Sequence, residues 1–74
     1  MTSGFIEIYD GTAGNAALIA EHNSNITIIW QNASEFVTTS TAGKTSVEGS
    51  GGTLTMRNRT GAEANYRVWI RKLN

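Results

Sequence analysis

The chain has no cysteine, no proline, a single histidine (His22) and no lysine or arginine before Lys44. Each absence excludes something. Without cysteine there is no disulfide framework, and the redox compartment leaves no mark on the fold. One histidine and scattered carboxylates cannot furnish a zinc site, and no aspartate cluster resembles a calcium loop, so no metal or other cofactor is expected. A chain of 74 residues buries only about 60% of the surface its unfolded form exposes. With disulfides and metals gone, oligomerisation is the remaining support for so small a scaffold. No apolar run approaches the roughly 20 residues of a membrane span, and MTSGFIEIYD lacks the basic and apolar regions of a signal peptide. The chain reads as soluble and unprocessed.

The net charge is zero, but its halves differ. Residues 1–43 hold Glu7, Asp10, Glu21 and Glu35 with no basic partner, a charge of −4. Residues 44–74 hold six basic residues against Glu48 and Glu63, a charge of +4. Such asymmetry indicates electrostatic pairing within or between chains, or a nucleic-acid patch. Because the halves cancel, pairing is the stronger reading.

What is present is period-2 alternation, with no window of helical period. FIEIY (5–9) reads as a strand with Ile6 and Ile8 inward, followed by the turn DGTAGN. Residues 18–22 form a short return strand. ITIIWQ (26–31) is rich in β-branched and aromatic residues, with Ile26, Ile28 and Trp30 on one face and Thr27 and Ile29 on the other. EFVTTST (35–41), a short strand at 45–48, GTLTMRN (52–58) and YRVWIRKL (66–73) follow, separated by AGK and GSGG turns. Leu54, Met56, Val68 and Ile70 are assigned inward. About seven short strands at this spacing mark an antiparallel sandwich or barrel. Residues 1–74 therefore read as a single all-β domain, a small antiparallel β-sandwich or barrel.

IEIYDGTAGNAAL aligns on LTMRNRTGAEANY, matching Ile6 with Leu54, Ile8 with Met56 and Asp10 with Asn58. Two hairpins that share the turn chemistry of Asp and Asn account for the echo. If those hairpins lie side by side, the acidic Glu7 face meets the basic Arg57 face.

No catalytic constellation can be assembled. His22 reads as a polar turn residue at a strand end, with Glu21 on the opposite face. Glu7 and Asp10 are an odd number of positions apart, which sends them to opposite sides of a strand and makes them a solvated residue and a turn cap. GKTS (43–46) lacks the earlier glycine of a phosphate loop, since Thr38 stands there, and a strand rather than a helix follows. GSGG does not meet the dinucleotide spacing. The three Asn-X-Ser/Thr triplets at Asn25, Asn32 and Asn58 matter only in a secreted eukaryotic protein.

The closing segment RNRTGAEANYRVWIRKLN carries the candidate surface. With Tyr66, Val68 and Ile70 inward, Arg67, Trp69 and Arg71 project from the other face, with Arg57 nearby on the preceding strand. The expected contact residues are Arg57, Arg67, Trp69, Arg71 and, as charge complement, Glu7. Packing on another subunit suits them, because Trp and Arg are enriched at interface hot spots. Nucleic acid would stack on Trp69 with guanidinium groups along phosphates. A sugar platform of Trp69 and Tyr66 is the third reading. A one-residue slip in register would instead bury Trp69.

The hairpins YDGTAGNAAL and RNRTGAEANYRVWIRK, and the run of short strands without Cys or Pro, resemble the small all-β capsid decoration and tail proteins of tailed bacteriophages. The resemblance implies a non-enzymatic assembly role in symmetric oligomers, often trimers, bound to one another or to capsid or tail proteins. It implies a virion or extracellular location. The expectation is a homo-oligomeric structural module without membrane association. The alternative is a ligand-binding β module, either a glycan-binding lectin or a single-stranded nucleic-acid binder.

Overall fold

The computed structural model describes residues 3–51 and 53–73, and all regular structure within them is β. The strands are β1 (Ser3–Asp10), β2 (Asn15–His22), β3 (Asn25–Gln31), β4 (Phe36–Val37), β5 (Thr45–Ser50), β6 (Thr53–Asn58) and β7 (Tyr66–Lys72). They form a four-stranded sheet ordered β3-β2-β1-β7 and a three-stranded sheet ordered β4-β5-β6. The all-β class is the one the alternation predicts, and the strands divide into two sheets. Gly52, assigned to the start of a strand, lies outside the described residues.

β1 shows why the alternation works. Ile6, Ile8 and Asp10 are buried on one side, and Phe5, Glu7 and Tyr9 are exposed on the other. The turn after it is held by the Asp10 carboxylate, whose Oδ1 accepts the amides of Thr12 at 2.9 Å and Ala13 at 3.2 Å. Gly14 then takes a positive φ of 75°, which costs glycine nothing. β2 returns antiparallel with Ala17 and Ile19 inward. Asn23 and Ser24, both at positive φ, make the two-residue turn into β3.

The sheets meet along β3, which packs against β4 and β5. Between them lie six buried apolar residues: Ile6, Ile8, Ala17, Ile19, Phe36 and Val47. Ile26, Ile28, Leu54, Met56 and Tyr66 close around them, half-buried. At Gly49 the β5 backbone passes so close to the β2–β3 turn that an added Cβ would stand 2.5 Å from the Ser24 carbonyl oxygen.

Several expectations are corrected. The strand expected over residues 35–41 shrinks to Phe36–Val37, and it pairs parallel to β5 rather than antiparallel. Phe36 is drawn into the core, and the Gln31 side chain takes both its backbone groups at 3.0 Å. β6 and β7 are not a hairpin but belong to different sheets, so the Arg57 face does not meet the Glu7 face; β7 pairs with β1. Trp30 does not share a face with Ile26 and Ile28. β3 carries a bulge, with Ile19 opposite Ile28 but Leu18 opposite Trp30, and the extra residue Ile29 reverses the alternation beyond it. Val68 and Ile70 lie on the inner side, opposite Ile8 and Ile6, yet remain 44% and 60% exposed because the smaller sheet does not cover β7.

Gly49→Ala should lower unfolding free energy by about 1–3 kcal/mol, since backbone rather than a yielding side chain blocks the new methyl. A urea melt measures it, and an unchanged midpoint would contradict the close approach.

Candidate functional site

Pairing across the four-stranded sheet aligns its outer face into rows. The central row runs Trp30, Leu18, Glu7, Trp69, from β3 to β7. On one side of it lie Thr27, Ala20, Phe5 and Arg71, and on the other Ala16, Tyr9 and Arg67. Trp30 and Trp69 are 55% and 54% exposed, at opposite margins of the sheet. Three strand spacings separate their backbones, about 14 Å. Between the indoles runs an open trough of about 280 Å³, with Leu18, Glu7 and Tyr9 in its lining.

Of the five residues singled out from sequence, Glu7, Arg67, Trp69 and Arg71 share this face. Glu7 sits directly opposite Trp69, and the two arginines flank that tryptophan on the same side of β7. Arg57 does not join them. It lies in the other sheet with its Nε 3.7 Å from a Glu48 carboxylate oxygen. The sugar platform of Trp69 with Tyr66 is overturned, because Tyr66 has the opposite parity and turns inward. The face instead includes Trp30, Tyr9 and Phe5. Tyr9 and Phe5 follow from the alternation that puts Glu7 outward, so the signal for them was present. Trp30 depends on the bulge, which no residue type in ITIIWQ announces.

A second polar cluster, which sequence reasoning did not find, ties the sheets together at one end. Glu35 precedes β4, and its Oε1 accepts the Asn15 amide at 2.8 Å. Its Oε2 accepts the Tyr66 hydroxyl at 2.9 Å and the Thr45 hydroxyl at 3.3 Å. Tyr66 and Thr45 also touch each other at 2.6 Å. Burial raises the Tyr66 pKa above its usual value, and the hydrogen bond to Glu35 with the nearby charges of Glu35 and Asp10 adds to that. For Asp10, burial pushes upward, but the Ala13 and Thr12 amides that its carboxylate accepts outweigh it and hold the carboxyl below 3.8. The cluster consists of mutually satisfied groups, the arrangement of a structural clasp.

His22 Nδ1 lies 2.6 Å from Ser3 Oγ, a contact of nucleophile and base types. Asn23 Nδ2 lies 3.3 Å from the other ring nitrogen. Either ring nitrogen can carry the proton, and the contact is a hydrogen bond between cross-strand neighbours at the start of β1 and the end of β2. Among the described residues no three His, Cys, Asp or Glu side chains gather to hold a metal ion, and no helix is long and apolar enough to cross a membrane.

No protein-family model matches the chain, and no curated protein or solved structure is significantly similar to it.

Two outcomes test the clasp. Tyr66→Phe removes one hydrogen bond to a half-buried carboxylate and should cost about 1–3 kcal/mol in a urea melt. The depressed Asp10 carboxyl contributes stability that is fully present above its unfolded value of 3.8 and is lost as pH falls through its lower folded value. The stability gap between wild type and Asp10→Asn should thus be widest near neutral pH and narrow under acid. A gap independent of pH would show that the carboxylate charge contributes nothing.

Proposed function

We propose that the chain is a non-enzymatic structural module that works as a homo-oligomer, its copies meeting through the aromatic outer face and the margins of the four-stranded sheet. One observation carries this. The large exposed apolar side chains of the described residues are Phe5, Tyr9, Ile29, Trp30, Val68, Trp69, Ile70 and Leu73. All lie on the four-stranded sheet or, for Leu73, one residue past it, where its amide still bonds Ser3. The smaller sheet contributes none. Apolar surface concentrated on one side of a protein marks an interaction site, and a core of six buried apolar side chains gains from further burial. The resemblance to capsid decoration and tail proteins is one of style; it agrees with the reading and adds no residue to it.

The trough between the indoles favours a second reading, a ligand-binding module. Paired aromatic walls with the Glu7 carboxylate between them suit a sugar better than a phosphate chain, which that carboxylate would repel.

Sedimentation separates the two. The homo-oligomer should persist at micromolar concentration, and Trp30→Ala with Trp69→Ala should shift it to monomer without unfolding it. A stable monomer whose tryptophan emission responds to oligosaccharides would replace the leading reading. A response to oligonucleotides that fades steeply with salt would instead point to nucleic acid.

A further inference from the structure

β3 and β7 are the two edges of the larger sheet, and among the described residues no further strand pairs with either. Natural edges are commonly blunted by proline, bulges or inward-pointing charge. β3 has a bulge but no charged residue at all, and the middle of β7 is Val68, Trp69 and Ile70. Those three, with Ile29 and Trp30 on β3, are five of the largest exposed apolar side chains.

We infer that copies of this chain join head to tail, the open edge of β7 in one copy adding to the open edge of β3 in the next. The inference rests on the oligomeric reading above and specifies its contact. Strand direction alternates across β3-β2-β1-β7, so the two edges run in opposite directions. Copies related by a rotation that keeps the sheet running on then pair β7 with β3 antiparallel, like every other pair in that sheet.

The faces also agree. On the inner side the row Ile28, Ile19, Ile6, Ile70 would continue into Ile28 of the next copy. That strand would cover an apolar cleft of about 190 Å³ beside β7, lined by Ile6, Ile8, Leu54, Met56, Val68 and Ile70. On the outer side, Trp69 would meet Trp30 of the next copy.

Other edge pairings fare worse. Two β7 strands paired about Trp69 would set Arg67 against Arg71 twice, and like charges directly opposite destabilise a sheet. Two β3 strands would leave Val68 and Ile70 uncovered. Pairing β7 with the uncharged β3 avoids both faults. The contact is heterologous, so it either closes into a ring or extends as a fibre.

A heterologous contact has a distinctive test. Ile29→Lys spoils only the β3 edge and Val68→Lys only the β7 edge, at positions 51% and 44% exposed. Each variant alone should sediment as a monomer. Their equimolar mixture should form a one-to-one dimer and stop there, because it contains a single intact pairing. A second test guards against misfolding of either variant. Thr27→Cys and Arg71→Cys, combined in this cysteine-free chain, should give an oxidised ladder, while each alone gives none. An oligomeric wild type whose lysine variants keep its mass, or whose mixture stays monomeric beside a missing ladder, overturns the head-to-tail contact and leaves the oligomer standing. A wild type that is monomeric throughout overturns both.

Discussion

Glu35 is the joint on which the arrangement turns. It stands between β3 and β4, its backbone carbonyl accepts the Thr45 amide of β5 at 2.9 Å, and its two carboxylate oxygens gather Asn15 from β2, Thr45 from β5 and Tyr66 from β7. The carboxylate is half-buried, and each of these partners offsets part of the hydration it gives up. Their positions clamp the start of β7 to the smaller sheet, and the Tyr66 ring lies 6.3 Å from the core ring of Phe36. Beyond the clamp the smaller sheet leaves β7 largely uncovered. Exposure at the inward positions rises along β7 accordingly: Tyr66 is half-buried, Val68 44% exposed and Ile70 60%. The apolar margin is thus a direct result of a sandwich fastened at one end by polar groups and covered by only three strands.

The outer face depends on a different local event. One additional residue in β3 between Ile28 and Trp30 carries the second indole out of the core and into line with Leu18, Glu7 and Trp69. Without that bulge the face would present one tryptophan at one margin. With it, an aromatic ring stands at each edge, and the surface between them is bounded on both sides.

These two events explain what could be read from the sequence and what could not. The inward Ile6 and Ile8, the cap formed by Asp10 and the outward Trp69 all follow from strict alternation beside turn residues, and the structure places each accordingly. The echo between Asp10 and Asn58 is likewise real as turn chemistry, since Asn58 Oδ1 accepts the Thr60 amide at 2.9 Å. The same turn, however, closes a hairpin in one place and crosses between sheets in the other. Which strands pair after a turn is decided by tertiary packing, so Arg57 was assigned to a face it does not share. Trp30 escaped because a bulge reverses parity without a residue type that signals it. Glu35 escaped because its partners are 10, 20 and 31 positions away, beyond any local pattern.

The charge asymmetry between halves takes on a smaller meaning once the pairing is known. β1 and β7 are neighbours, so Glu7 lies between the rows that carry Arg67 and Arg71, and Glu48 meets Arg57 within the other sheet. Part of the opposition is therefore answered inside one subunit. Exposed charges about 7–8 Å apart attract by well under 1 kcal/mol in water and less in salt. An indole with half its surface exposed has on the order of 100 Å² to lose, about 2–3 kcal/mol at 25 cal/mol per Å². Two such rings, with Val68 and Ile70 beside one of them, outweigh the surface charges several-fold. The larger part of the free energy this surface could release on being covered is thus apolar burial along the sheet, and its arginine and glutamate charges add little to it.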